Sequence, residues 1–129
     1  MMRIVIIILL VCLSFELSAQ RSPLVISKEK VELVVTEKTT ENQLKKIQKR
    51  LKDEANIDFS YKDIVFNSKK QISRITIEVD SNDGVKEAGI LMVSAIYDVG
   101  FVRNYLSDGN SSEAPLIIGN IREKEIKLN

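Results

Sequence analysis

The residue types in this chain restrict the chemistry that its side chains can perform. The chain contains no histidine, and its single cysteine is Cys12. Nucleophilic triads, Cys-His dyads and the common zinc sites all require histidine or cysteine, so the sequence predicts none of them. A catalyst built from these residues would depend on carboxylates, lysine, tyrosine or a hard metal ion, and we predict that the protein is not an enzyme.

Two groups of acidic residues are the candidates for such chemistry. Asp58, Asp63 and Glu78 would suit acid–base work if two of them converged, but outward-facing carboxylates are common on strands. The segment from Asp80 to Asp83 begins like a calcium loop, but Gly84 occupies its third ligand position. A hairpin turn is therefore the preferred interpretation. We predict no catalytic residue, no metal and no cofactor.

A basic helix face is the candidate docking surface. Its members are Lys45, Lys46, Lys49, Arg50 and Lys52. Such a face would bind anionic lipid headgroups or an acidic protein. The alternative is a solvated outer face, because charges on helices commonly serve solubility and because Asp53 and Glu54 lie beside this one.

The apolar segment from Ala88 to Leu106 is a candidate pocket wall. Ile90, Met92 and Phe101 would line a cavity for a small ligand or a lipid. The simpler interpretation is that the segment supplies the hydrophobic core. The secondary structure of residues 85–106 stays open, because their apolar pattern fits a helix as well as a strand that returns after the turn at Gly84.

A helix over residues 40–55 is the clearest of the elements that would position these groups. Thr40 and Gln43 match a capping box at its start, and Asn56 suits a left-handed end. Apolar residues recur at spacings of three and four and form one stripe. The stripe consists of Leu44, Ile47, Leu51 and Ala55.

Alternating patterns predict strands on both sides of the helix. If Ile64 and Phe66 both point inward, a bulge near Lys62 and Asp63 must shift the register. These strands cover residues 31–35, 57–66, 72–80 and 115–119. We predict an α+β fold: an antiparallel sheet with a β-α-β-β core (residues 31–84) and the amphipathic helix packed on one face. The sheet residues expected to face the helix are Val31, Leu33, Val35, Phe59, Ile75, Ile77 and Val79.

The N-terminus predicts export. Arg3, an apolar run from Ile4 to Phe15 and small residues near Ala19 follow the order of a secretory signal peptide, which we place at residues 1–19. The run is short for a membrane span, and the alternative is an uncleaved anchor. The remaining chain would comprise an arm or edge strand (20–30), one domain (31–120) and a charged tail or edge strand (121–129).

The charge balance excludes one class of partner. The net charge is +1, which provides no electrostatic footprint for nucleic acid. Cys12 lies within the predicted signal peptide, so the exported chain would hold no disulfide. We expect a periplasmic or secreted protein with no membrane span once the signal peptide is removed.

Several segments within residues 31–84 together resemble those of a known module. These are Thr39-Thr40-Glu41, Leu44 to Lys52, Ile57 to Ser60, Phe66 to Ile72, and Ile75 to Ile77 followed by Asp80 and Gly84. The combination resembles the small extracytoplasmic β-α-β-β module of BlaR/MecR-type membrane zinc peptidases and of short exported bacterial proteins of unknown role. The resemblance implies a sensing or docking module and transfers no functional residues.

The chain departs from that module in three respects. The peptidase with its zinc-binding histidines is absent, Lys70 stands where a glycine is frequent, and residues 88–106 have no clear counterpart. Together these features predict a non-enzymatic binding or accessory module that acts by protein–protein contact in the periplasm, with a partner in the cell envelope. The alternative is a small-ligand or lipid-binding protein that uses the apolar 88–106 region.

Overall fold

The computed structural model describes residues 23–106 and 114–124. In chain order, the elements are β1 (Leu24–Ile26), β2 (Lys30–Val35), α1 (Glu41–Ala55), β3 (Asp58–Phe66), β4 (Ile72–Asp80), β5 (Lys86–Met92), β6 (Tyr97–Asn104) and β7 (Leu116–Glu123). The predicted signal peptide (1–19) and residues 125–129 of the predicted tail lie outside the described residues. No helix within the described ranges is long and apolar enough to cross a membrane.

The predicted α+β class is confirmed, but the strands form two antiparallel sheets instead of one. The four-stranded sheet has the order β1-β2-β6-β7, and the three-stranded sheet has the order β3-β4-β5. The prediction that β2 shares a sheet with β3 and β4 is therefore wrong: β2 pairs with β6, from Lys30 opposite Asn104 to Val35 opposite Val99. The alternating pattern of a strand indicates which side chains are buried but not which strand lies beside it.

The two sheets and the helix enclose one core. Strands β5 and β7 approach each other where Gly89 leaves room for Ile118, since a Cβ on Gly89 would lie 2.7 Å from Ile118 Cγ2. Helix α1 contacts β3 and β1 and so packs on both sheets. All the sheet residues expected in the core are buried, as are Leu44, Ile47 and Leu51 of the helix.

The helix ends are built as predicted. The Thr40 side chain accepts a hydrogen bond from the Gln43 N–H, and Gln43 Oε1 accepts one from the Thr40 N–H at 2.9 Å, which completes the capping box. Asn56 follows the helix with a φ of 52°, in the left-handed region. Local hydrogen bonding explains both ends, so neighbouring residues suffice to predict them.

The open question of residues 85–106 is resolved in favour of strands. β5 pairs with β4, and β6 follows after a short connection, so the helical alternative is wrong. β6 also requires a glycine in the middle, because a Cβ at Gly100 would lie 1.8 Å from the Leu33 carbonyl oxygen. Close pairing with β2 thus decides the conformation of a segment whose own pattern is ambiguous.

A bulge is present at the expected place in β3, but of the two residues considered to point inward only Ile64 packs against the core, since Phe66 is 51% exposed. The register between β3 and β4 shifts between Lys62 and Val65, and Asp63 has a φ of 54°. The shift places Val65 opposite Arg74. The Val65 side chain is exposed, whereas Ile64 is half-buried against the core. The bulge therefore adds an apolar residue to the outer surface of the three-stranded sheet.

Candidate functional site

The predicted docking surface lies on the exposed side of α1, and all five of its side chains are exposed. Three of them bind carboxylates. The ion pairs are Lys49–Asp53 (2.6 Å), Arg50–Glu54 (2.7 Å) and Lys52–Asp58 (2.9 Å). Only Lys45 and Lys46 lack a carboxylate partner within the described part of the chain, so most of the charge on this face is compensated locally.

These ion pairs shift the pKa values of the residues that form them. The hydrogen bond to Asp53 raises the pKa of Lys49, and the hydrogen bond from Arg50 lowers the pKa of Glu54. Both shifts favour the charged forms at neutral pH. Exposed pairs of this kind contribute little stability, but they weaken the field that a basic docking surface would present.

The outer face of the three-stranded sheet carries exposed apolar side chains. Register partners form two rows across the strands, Lys62-Thr76-Ile90 and Val65-Arg74-Met92. Ile90 and Met92 are 60% and 59% exposed. Val65, on the far side of β4 in the row of Met92, is also exposed. We call Val65, Ile90 and Met92 the sheet patch. Grouped apolar side chains on a surface commonly mark an interaction site.

The structure does not bring together the three residues predicted to line a pocket. Ile90 and Met92 are exposed, whereas Phe101 is fully buried with its ring centroid 6.2 Å from that of Phe59. Alternate residues of β5 point to opposite sides of the sheet, and Leu91 is the one that faces the core. The segment 88–106 therefore supplies both core and surface, without a shared cavity between these residues.

Two of the three candidate acid–base carboxylates, Asp58 and Glu78, line one cleft of about 390 Å³, whereas Asp63 is not part of its lining. Asp58 and Glu78 lie on the same sheet face, and each pairs with a lysine, Lys52 at 2.9 Å and Lys86 at 3.0 Å. The hydrogen bond from Lys52 lowers the pKa of Asp58, which opposes a role as a proton donor near neutral pH. Asp63 lies in the bulge, closer to the other end of β3.

The segment from Asp80 to Gly84 forms the predicted hairpin turn. Asp80 Oδ1 accepts a hydrogen bond from the Asn82 N–H at 2.9 Å, while Asp83 hydrogen-bonds Ser81 and pairs with Arg103 at 2.6 Å. These carboxylates point to different partners instead of a common centre. Across residues 23–106 and 114–124, no group of three or more acidic, histidine or cysteine residues is placed to hold a metal ion.

Two arginines form ion pairs and hydrogen bonds with residues that are distant in the chain. Arg103 is buried and donates hydrogen bonds to Ser81, Asp83 and the Pro115 carbonyl. Arg103 also lies 4.5 Å from the centre of the Tyr105 ring, a cation–π distance. Because these partners are distant in the chain, no local sequence pattern reveals the network.

The second arginine, Arg122 of β7, bridges two other strands. It contacts Glu32 of β2 at 2.6 Å and Asp98 of β6 at 2.7 Å, and the hydrogen bond to Glu32 raises its pKa. A cleft of about 670 Å³ lies beside this bridge, bounded also by Thr36 and Lys124. Two carboxylates already occupy the Arg122 guanidinium, so the cleft offers a ligand no uncompensated arginine.

The β3–β4 hairpin holds a second basic group, which sequence patterns did not single out. Between positions 62 and 74 the chain has four basic residues and one acidic residue, Asp63. The basic residues are Lys62, Lys69, Lys70 and Arg74, all exposed. We call residues 62–74 the hairpin end. In contrast to the helix face, none of these four cations forms an ion pair with a carboxylate in the described ranges.

The turn of this hairpin is held by its own hydrogen bonds. Asn67 Oδ1 accepts from the backbone N–H groups of Lys69 (2.9 Å) and Gln71 (3.1 Å). Lys70 has a φ of 62°, in the left-handed region that glycine adopts most readily. Phe66 precedes the turn and is 51% exposed. The turn therefore presents two lysines beside an aromatic ring.

Comparisons with protein-family models, curated proteins and solved structures find no match to this chain. The resemblance to the BlaR/MecR-type module stays a prediction. The functional argument therefore depends on the geometry of the chain itself.

Proposed function

We propose that the protein is a non-enzymatic exported binding module that contacts a partner protein through the sheet patch. The observation that carries this proposal is the exposure of Ile90 and Met92, two large apolar side chains on one face of β5. Val65 lies in the same row as Met92, with Arg74 between them. Burial of such a group against a partner removes apolar surface from water, which is the main driving force of protein association.

The rigidity of the strands that carry the patch also favours a protein contact. Its residues belong to strands, and β4 and β5 are paired continuously from Arg74 opposite Met92 to Asp80 opposite Lys86. A contact surface held by paired strands loses little conformational freedom on binding. Arginine is enriched in protein interfaces, and Arg74 supplies a polar anchor within the apolar row.

The shallowness of this face distinguishes the proposal from ligand binding. A cleft of about 450 Å³ lies on it, lined by Val65, Arg74 and Ile90, but the cleft is open to solvent. A small-molecule site buries most of its ligand, whereas Ile90 and Met92 are 60% and 59% exposed. The expected export follows from the predicted signal peptide at residues 1–19. Contact with a partner in the cell envelope is consistent with both features.

Site-specific photocrosslinking in the native cell envelope tests the proposal. A photoreactive residue at position 92 is expected to yield an adduct with one protein, which mass spectrometry then identifies. The matched control is the same residue at position 117, because Ile117 is also an exposed apolar strand residue but belongs to the four-stranded sheet. Equal adducts at both positions, or none at position 92, would contradict the proposal.

A further inference from the structure

The hairpin end combines uncompensated positive charge with an exposed aromatic side chain. Lys62, Lys69, Lys70 and Arg74 are exposed and lack carboxylate partners in the described ranges, and Phe66 lies among them in the chain. We propose that this end of the molecule binds the surface of an anionic phospholipid membrane. This contact uses the turn with Phe66, Lys69 and Lys70, whereas the proposed protein contact uses Ile90 and Met92 on β5. Arg74 lies between the two surfaces.

Charge complementarity is the first argument for a lipid surface. Each basic side chain near an anionic membrane raises the partition coefficient about fivefold. Apart from Asp63 in the bulge, the carboxylates of the same sheet lie toward the opposite end, where Asp58 lies opposite Asp80 across the strands and Glu78 is the next outward residue of β4. The sheet is therefore polarised along its strands, and an anionic surface would attract the turn between β3 and β4.

The exposed aromatic ring is the second argument. A soluble polyanion needs only the cations, but the membrane interface also accepts apolar and aromatic side chains at the level of the headgroups. Phe66 directly precedes the turn that carries Lys69 and Lys70. This order allows the ring to enter the interface while the lysines contact headgroup phosphates, as in other interfacial segments with basic and aromatic residues.

The backbone of the turn supports the same assignment. A non-glycine residue in the left-handed region carries a conformational cost, and Lys70 occupies that region with a φ of 62°. The Asn67 side chain restrains the turn by accepting two backbone hydrogen bonds, so the two lysines are positioned before binding. The chain thus holds a positive charge at a position where glycine would relax the backbone.

Vesicle cosedimentation of the protein purified after export tests the proposal. We expect binding to vesicles of phosphatidylglycerol and phosphatidylcholine that weakens with salt, and little binding to phosphatidylcholine alone. K69E/K70E should lower the partition coefficient at least about twentyfold. The matched control K45E/K46E makes the same charge change at two exposed helix lysines that have no carboxylate partner in the described ranges, and its effect should stay within about threefold.

Three results would overturn the proposal. These are no binding to phosphatidylglycerol vesicles at low salt, equal losses in both lysine variants, and equal binding to a soluble polyanion such as polyphosphate. Circular dichroism of both variants verifies that they are folded. Photocrosslinking at position 92 is a separate readout, so failure of lipid binding leaves the proposed protein contact standing.

A fluorescent reporter gives a second, independent measurement. The chain contains no tryptophan, so Phe66→Trp introduces a single emitter at the hairpin end. Its emission should shift to the blue when phosphatidylglycerol vesicles are added. Ile117→Trp is the control, because Ile117 belongs to the other sheet, next to Leu116, the register partner of Arg103. Arg103 in turn pairs with Asp83 in the β4–β5 turn and not with the β3–β4 turn. A shift that is equal at both positions, or absent at position 66, would exclude entry of the hairpin end into the interface.

Discussion

Helix α1 and the β3–β4 hairpin both present exposed lysine and arginine, but the two regions differ in how many of these cations form ion pairs. On the helix, carboxylates pair with Lys49, Arg50 and Lys52. On the hairpin, Lys69 and Lys70 have no such partner among the described residues. The difference shows that the number of basic residues on a surface does not determine how much of their charge is uncompensated. What matters is whether the fold places carboxylates within reach of them.

The two regions also differ in what their apolar residues do. Leu51 of the helix is fully buried, whereas Phe66 of the hairpin is half exposed. We expect Leu51→Ala to lower the free energy of unfolding by about 2–5 kcal/mol, because it leaves a cavity in the core. Phe66→Ala should lower it by less than about 0.5 kcal/mol. Urea denaturation measures both, and a similar cost for the two variants would show that Phe66 has a structural role.

Removing carboxylates from the helix should make its uncompensated positive charge, and therefore its binding to anionic vesicles, more like that of the hairpin end. In D53N/E54Q, Lys49 and Arg50 lose their ion-pair partners, so the helix face gains net positive charge. We expect binding to phosphatidylglycerol vesicles to rise about tenfold. The control is E123Q, which removes an exposed carboxylate from the end of β7. Unchanged vesicle binding in D53N/E54Q would show that local pairing does not suppress the helix face.

The smallest expected effect concerns the backbone of the hairpin turn. Lys70→Gly should raise the free energy of unfolding by about 0.5–1 kcal/mol, because glycine tolerates the positive φ. The same change should weaken vesicle binding about fivefold through the lost charge. Lys69→Gly is the matched control, since Lys69 has no positive φ and should gain no stability. Equal stability changes in the two variants would contradict this account of the turn.

Local features of the fold were predictable because neighbouring residues determine them. The capping box of Thr40 and Gln43, the left-handed Asn56 and the bulge at Asp63 all follow from short segments. The buried faces of the strands were equally predictable from their alternation. By contrast, the division into two sheets depends on the pairing of β2 with β6, and no local pattern encodes that choice.

The candidate site was only partly predictable for the same reason. The sequence placed the five basic residues on an exposed helix face, but the partner of Lys52 is Asp58, which belongs to another element. The exposure of Ile90 and Met92 depends on β5 being a strand, which the sequence pattern left open. No sequence pattern groups Lys62, Lys69, Lys70 and Arg74 as one surface, because they are spread over two strands and a turn.

The pairing of β2 with β6 also dictates an order of assembly. The strands of the three-stranded sheet are consecutive in the chain and are joined by short turns, so their contacts close small loops. β2 lies before the helix, yet its hydrogen-bonding neighbour β6 follows β5. Such a contact closes a long loop, which is entropically slower to form. The three-stranded sheet can therefore close as soon as β5 is available, whereas the four-stranded sheet is completed only when β6 and β7 join it.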